Sequence, residues 1–389
     1  MAQRYDVIVV GVGGMGSAAA YHLARRGRRV LGVERFDIPD EMGSSHGGNR
    51  VIRKAYFEDP RYVPLLHRAY ELWGELETQA GEKLLHVCGG LNIGPADHPC
   101  IAGVRESVAQ HGLAHEVLTA EEIQRRFPAL RPGEGDIGIY EADAGFVLPE
   151  RCVLAHVEQA RRLGAEIQAR EAVREVRPGA RSVTVATERG EYDAETVVVS
   201  AGAWLGSMLE GVGTAAVAKQ GGFGLPLRVE RQVQCWFEPV RAEECAPGRL
   251  PVFIQFFADR SYYGLPHFGR PGVKVCRHHG GATVTAETVD RTVSSADEED
   301  VRGFVRAHLP AADGRLLSAK VCLYTNTPDE HFVIGRHPAA ERVMIVSACS
   351  GHGFKFSAVV GEIVADLIVD GRSRHEIGMF APGRFGAGG

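Results

Sequence analysis

The opening residues constrain the fold more tightly than any other stretch. Tyr5-Asp6-Val7-Ile8-Val9-Val10 is short, apolar and β-branched, the composition of a buried parallel strand. It runs into Gly11-Val12-Gly13-Gly14-Met15-Gly16, which fits G-x-G-x-x-G. Helix formers follow from Ser17, with Gly27 as the stop, and a second strand at 29–33 ends on Glu34. Glycines at this spacing let the backbone turn tightly and approach a pyrophosphate seated on the helix N-terminus. Glu34 is placed to accept hydrogen bonds from an adenosine ribose. An acid there disfavours a 2′-phosphate, so NAD or FAD is expected rather than NADP. A lone glycine motif is weak evidence; strand, turn, helix, strand and acid in succession are strong.

A second fragment belongs with the first. Residues 195–199 form an apolar strand leading into Ser200-Ala201-Gly202-Ala203-Trp204, where small residues let the backbone pass close to a cofactor. With 389 residues, two or three domains are expected. An amphipathic helix is expected near 62–78 and another near 150–163, then strands at 166–170 and 182–187. The stretch 227–279 alternates and is rich in aromatics, which predicts an antiparallel sheet of a different domain. A strand at 342–346 and an apolar helix at 356–369 close the chain. The fold class is therefore α/β (α+β): a discontinuous Rossmann-like domain (1–88, 146–217 and 321–389) with an inserted antiparallel substrate domain (89–145 and 218–320).

The hydrophobic share is 44% and the charged share 24%, which supports a packed core. The net charge of −5 argues against a nucleic-acid surface. No run of 18 apolar residues suggests a membrane span, and no export signal is visible, so a cytoplasmic location is expected. Eight cysteines show neither CxxC pairs nor finger spacing; reduced thiols and no metal site are expected. His278 and His279 are not read as a metal pair, because adjacent strand residues face opposite ways.

Only six of the 44 cationic residues are lysines. Lys274 interrupts the apolar run Val273–Val275, and burying an ammonium needs a purpose or a partner; an exposed edge-strand lysine is the other reading. Lys355 lies between Phe354 and Phe356 after a glycine turn, where it could also cap a carbonyl or pair with a buried acid. Arg53 on its own reads like any surface arginine, and Cys322 like a buried structural cysteine.

At Cys322-Leu323-Tyr324-Thr325-Asn326-Thr327-Pro328-Asp329-Glu330-His331-Phe332 and Ser350-Gly351-His352-Gly353-Phe354-Lys355-Phe356 the chain resembles the monomeric sarcosine oxidase and N-methyltryptophan oxidase family. The similarity runs over essentially the whole length and includes Ser45-His46-Gly47 through Arg50 and Arg53, Tyr262-Tyr263-Gly264, and Lys274. The resemblance implies FAD, linked covalently through Cys322 to the 8α carbon. It implies cofactor contacts at Gly11, Gly13, Gly14, Met15, Gly16, Glu34, Arg35, Ser44, His46, Arg50, Val173, Ala201, Gly202, Trp204, Gly351, Gly353, Phe354 and Lys355. It further implies that Arg53 and Lys355 grip a substrate carboxylate, that Lys274 helps O2 accept electrons, and that Tyr263, His278 and Tyr324 surround the substrate amine. Glu58, with His46 and Arg50, matches residues lining the flavin or the active-site entrance. The implied reaction is oxidation of a secondary N-methyl amino acid by hydride transfer. The imine is then hydrolysed to formaldehyde and the primary amino acid, and O2 is reduced to H2O2 by a monomeric enzyme. A biosynthetic oxidase of a cyclic imino acid of the proline or pipecolate type is the alternative on the same scaffold. An NAD-dependent dehydrogenase and a flavin-loaded sensor without turnover are more distant rivals. The chain departs from the family pattern at Gly47-Gly48-Asn49, Cys349, Gly335-Arg336 and a glycine-rich 211–223, all expected to lie near the cofactor or pocket.

Overall fold

The computed structural model describes residues 3–210, 212 and 224–386. The glycine-rich segment expected to differ from the family, 211–223, lies outside the described residues apart from Val212. The first elements are the strand Gln3–Val10, the helix Gly14–Arg25 and the strand Val30–Val33. Gln3–Val10 is central in an eight-stranded sheet, parallel to Val30–Val33 on one side and to Glu191–Val199 on the other. Ala340–Ser347 extends the parallel set, with Val197 opposite Val343. Both faces are covered, so Val7, Ile8 and Val9 are all buried, and this explains a strand without polar alternation.

Two glycines of the turn are required by space. A Cβ on Gly11 (φ +87°) would sit 2.6 Å from the Ser200 carbonyl oxygen, and one on Gly16 would sit 1.8 Å from the Gly11 carbonyl oxygen. Turn, helix and neighbouring strand therefore touch backbone to backbone. The same closeness recurs where Gly14–Arg25 crosses the apolar helix Ser357–Val369. A Cβ on Gly361 would lie 2.5 Å from the Ala18 carbonyl carbon.

The second sheet has nine strands. It is antiparallel except where Gly90–Pro95 runs parallel to Val252–Phe256. Leu91, Phe253 and Val275 pack there against Phe304 of the helix Ser295–His308. The strand Leu316–Asn326 pairs along its length with Arg228–Phe237. The boundary expected at 320/321 thus falls inside one strand, and Cys322 stands on the second sheet. A third, three-stranded sheet joins Arg50–Ile52, Gly145–Val147 and Leu85–Val87. It fixes the segment that carries Arg50 and Arg53.

Two expectations are corrected. His278 ends the strand Val273–His278, and His279 is in the left-handed region (φ 61°). Strand alternation stops there, so the two rings do not point apart; their centroids lie 4.2 Å from each other. Gly335 and Arg336 are also not cavity residues. They lie on the strand Val333–His337, where a Cβ on Gly335 would meet Pro382 Cδ at 2.6 Å.

Gly361→Val forces the two helices apart. Overpacking of this kind costs about 1–3 kcal/mol. The expected lowering of the urea midpoint with unchanged m-value checks it, and an unaltered midpoint contradicts the close crossing.

Candidate active site

A cavity of about 600 Å³ opens beyond the carboxyl ends of the parallel strands, lined by Val10, Gly11, Val33, Glu34, Ser200 and Ser347. That is where open parallel sheets bind ligands. Its opposite wall comes from the second sheet: Gln232, Tyr263, His278, Cys322 and Tyr324. The volume lies in the range of cofactor sites.

At the sheet end, Glu34 ties the turn to the second strand. Its Oε2 accepts from Val12 N at 2.8 Å and its Oε1 from Phe36 N at 3.0 Å. A carboxylate has about four lone-pair sites, so capacity remains for a ribose. Burial pushes this carboxyl above its usual range, against the pull of the two N–H groups. Gly14 N donates to Ser45 Oγ at 3.0 Å, and a Cβ on Gly14 would lie 2.9 Å from the Phe354 ring. The Arg35 guanidinium carbon lies 5.5 Å from the Trp204 ring centroid. Gly13, Met15, Ser44, Val173, Ala201 and Gly202 line the same end. Gly16 and His46 are not among the lining residues. Gly16 acts through packing, and His46 is buried with both ring nitrogens unpartnered, its pKa lowered to about 3 by burial and by Arg50.

At the other end, Cys322 Sγ receives Arg50 Nη2 at 3.7 Å, and the same nitrogen donates to Ser44 O at 3.0 Å. Ser44 Oγ in turn donates to Leu323 O at 2.5 Å, which ties the loop before Arg50–Ile52 to the second sheet beside the thiol. His278 Nδ1 and Tyr324 Oη are 3.2 Å apart. Burial pushes the Tyr263 and Tyr324 hydroxyls well above their usual range, so both are neutral hydrogen-bonding groups.

Arg53 is buried rather than a surface arginine. It donates to Ala55 O at 2.7 Å and to both Glu58 oxygens at 3.1 and 2.9 Å, and its guanidinium carbon lies 4.3 Å from the Tyr56 ring centroid. Arg53 opposes the burial of Glu58 and holds that carboxyl below its usual range. Lys355 Nζ donates to His352 O at 2.6 Å and Tyr56 Oη at 3.4 Å, so it does cap a carbonyl while lining the cavity. Burial, with Arg53 behind it, lowers Lys355 to about 7.

Lys274 is buried on an inner strand, not exposed on an edge. It is not among the lining residues. Its Nζ donates to Gly47 O at 3.0 Å and Asn49 O at 2.9 Å, 5.4 Å from the Trp236 ring centroid. It therefore stands behind the 47–49 loop, and burial lowers it to about 7.

Sequence reasoning missed the groups that hold these loops. Glu150 accepts from Gly47 N at 2.7 Å and Gly48 N at 3.0 Å. The sequence shows only an acid in the first turn of the helix Pro149–Arg162. Tyr56 Oη meets His352 Nδ1 at 2.6 Å across 296 residues. Cys349, a departure expected near the cofactor or pocket, lines the cavity.

The glycine turn leaves room for a pyrophosphate, and one cavity is lined by Glu34 at its sheet end and by Cys322 on the opposite wall. A cradle of this kind, open to a pocket with buried cations, is the layout of an FAD-dependent amine oxidase. The chain belongs to the family described as FAD dependent oxidoreductase, whose pattern matches residues 6–367. It is 43% identical over 392 residues to a monomeric sarcosine oxidase of Streptomyces avermitilis, with 100% of this chain and 99% of that protein covered. It is 34% identical over 385 residues to an N-methyl-L-tryptophan oxidase of Salmonella enteritidis, with 98% and 99% covered. Among solved structures, NikD, an unusual amino acid oxidase essential for nikkomycin biosynthesis, superposes with a TM-score of 0.84 at 26% identity, covering 98% of each chain. Among the described residues no helix is long and apolar enough to cross a membrane, and no cluster of His, Cys, Asp and Glu could hold a metal ion.

Proposed function

We propose that this chain oxidises secondary, N-methyl α-amino acids with O2, releasing formaldehyde, the primary amino acid and H2O2, and that it acts as a monomer. The carrying observation is the charge on the cavity wall. Arg53 and Lys355 bring two cations against the single carboxylate of Glu58, and the hydrogen-bond partners of Lys355 are uncharged. The surplus positive charge suits a ligand carboxylate, which Lys355 and the Arg53 N–H groups not engaged by Ala55 and Glu58 can bind. The relatives' names support an N-methyl amine as the other half of that ligand.

Glu34, the glycine turn and Arg35 would hold FAD, which would supply the two-electron redox chemistry with O2 as the final acceptor. The protein's own part is orientation. Arg53 and Lys355 anchor the carboxylate, which turns the amine-bearing carbon toward the wall of Cys322, Tyr324 and His278. Tyr263 and Ile254 close the apolar side and exclude water. Cys322, beside Arg50, is the proposed thioether attachment. Lys274 supplies a fixed charge behind the 47–49 loop that favours electron transfer to oxygen.

Four outcomes are expected. A peroxide-coupled screen yields turnover with sarcosine or another N-methyl amino acid, with one formaldehyde per peroxide; peroxide without formaldehyde, from proline or pipecolate, favours the cyclic alternative. Acid-precipitated protein stays yellow, and Cys322→Ser releases its colour to the supernatant; a colourless wild-type pellet removes the linkage. Lys274→Met slows the aerobic return of flavin absorbance at least tenfold more than the anaerobic bleaching; equal slowing sinks that role. Finally, Lys355 is an ammonium below its pKa of about 7 and a neutral amine above it. Affinity for a small carboxylate such as acetate therefore falls as pH rises through that value, by up to about tenfold per unit. In Lys355→Met calorimetry shows weaker binding at pH 6 and no such fall; a wild-type affinity that is flat with pH contradicts the clamp.

A further inference from the structure

Arg53, Val51 and Ile254 line the large cavity and also a second one, of about 10 Å³, to which Asn92 and Glu141 contribute. The pleat of the second sheet brings these groups together. Asn92 stands opposite Ile254 and Ile139, and Gly90 opposite Glu141. Cross-strand partners share a face, so Asn92, Ile254 and Glu141 project to one side, while Ile93 packs with Phe304 on the reverse. Three polar groups at the small cavity have bonding capacity left over. Arg53 commits Nη1 to Ala55 O and Nη2 to Glu58, but its Nε–H has no partner among the described residues. Asn92 Oδ1 has none either. Both residues are more than nine-tenths buried, at 4% and 3% exposure. Glu141, also buried, accepts from Lys54 N at 2.9 Å and Ala55 N at 2.9 Å, and a carboxylate with about four lone-pair sites can accept once more. Burial pushes that carboxyl above its usual range, against the two N–H groups and Arg53. An unpaired donor on a buried cation is costly, and such groups are satisfied by protein or by ordered water.

We propose that the small cavity is a binding site for one structural water, which accepts from Arg53 Nε–H and donates to Asn92 Oδ1 and Glu141, and that Asn92 is thereby a positioning residue for the carboxylate clamp. The volume suits one molecule, since about 10–15 Å³ holds a water, and a buried water makes about three hydrogen bonds. The donors and acceptors balance: the water accepts once and donates twice, and the two orphaned atoms each gain a partner. The guanidinium has five N–H groups. Ala55 O takes one on Nη1, the Glu58 oxygens take those on Nη2, and the water takes Nε–H. The hydrogen that remains, on Nη1, is the one offered to a ligand. Asn92 thus fixes the plane of Arg53 without reaching the large cavity, whose lining does not include it. The water site stands on the geometry alone; its effect on ligand affinity rests on the proposed function.

The test begins with a crystal structure of the flavin-loaded wild type, at a resolution that orders internal waters. An isolated solvent peak is expected within about 2.7–3.2 Å of both Arg53 Nε and the Asn92 amide. No peak there, or a direct bond between Arg53 Nε and Asn92, overturns the proposal. Asn92→Leu puts methyl groups of similar volume in place of the amide. The peak is then lost, and calorimetry at pH 6 shows acetate binding weakened about tenfold, the scale of one charge-assisted hydrogen bond. The fall of acetate affinity as Lys355 loses its proton near pH 7 persists in the variant, because Lys355 keeps its own partners. Acetate affinity equal to wild type overturns the positioning role, and so does loss of the pH dependence, which marks a general collapse of the clamp. Asn92→Asp, isosteric and still an acceptor, retains the peak; it serves where the leucine variant does not fold, and an absent peak in it counts against the site. If the wild type binds no acetate, the clamp of the proposed function falls, and the density alone decides the water site.

Discussion

Three positive charges, on Arg53, Lys274 and Lys355, are taken out of water around one cavity. Each transfer costs several kcal/mol unless partners replace the lost hydration. Much of the local architecture does that replacing. Glu58 and the Ala55 carbonyl meet Arg53, the 47–49 loop turns two carbonyls onto Lys274, and His352 turns one onto Lys355. The loop is held in turn by Glu150 from a helix more than a hundred residues away. Removing any one support leaves a charge or a carbonyl without a partner in a dry place, where such losses are most costly.

The parts of this arrangement that the chain shows locally were legible in it. The opening strand, glycine turn, helix and acid are contiguous, and each obeys a rule of spacing. The apolar helix Ser357–Val369 and the alternating strands from Arg228 onward could be placed within a few residues. The family resemblance marked Cys322, Arg53 and Lys355, and all three line the cavity. Lys274 was legible as a lysine with a purpose, but not as one standing behind a loop rather than on the wall.

What could not be read depends on contacts between distant segments or on a single backbone angle. Tyr56 with His352, Ser44 with the Leu323 carbonyl and Glu150 with Gly47 have no signature in spacing. The orientation of His279 follows from one positive φ at a strand end, where the rule of alternating faces no longer applies. The Gly335-Arg336 departure misled for the opposite reason: a local difference in sequence turned out to serve the contact with Pro382.

The strand Leu316–Asn326 has one more consequence. Cys322 and Tyr324 are two residues apart, so the pleat sends both to the cavity, while Leu323 packs among Ala203 and Ala286 on the reverse face. A slip of one residue against Arg228–Phe237 would exchange these sets and bury the thiol in the apolar layer. The phase is held by the long ladder from Arg228–Asn326 to Trp236–Ser318, and the irregularity before Phe237–Leu316 falls at the end remote from the thiol. The irregularity thus leaves the register at Cys322 intact, so its sulfur keeps facing the cavity.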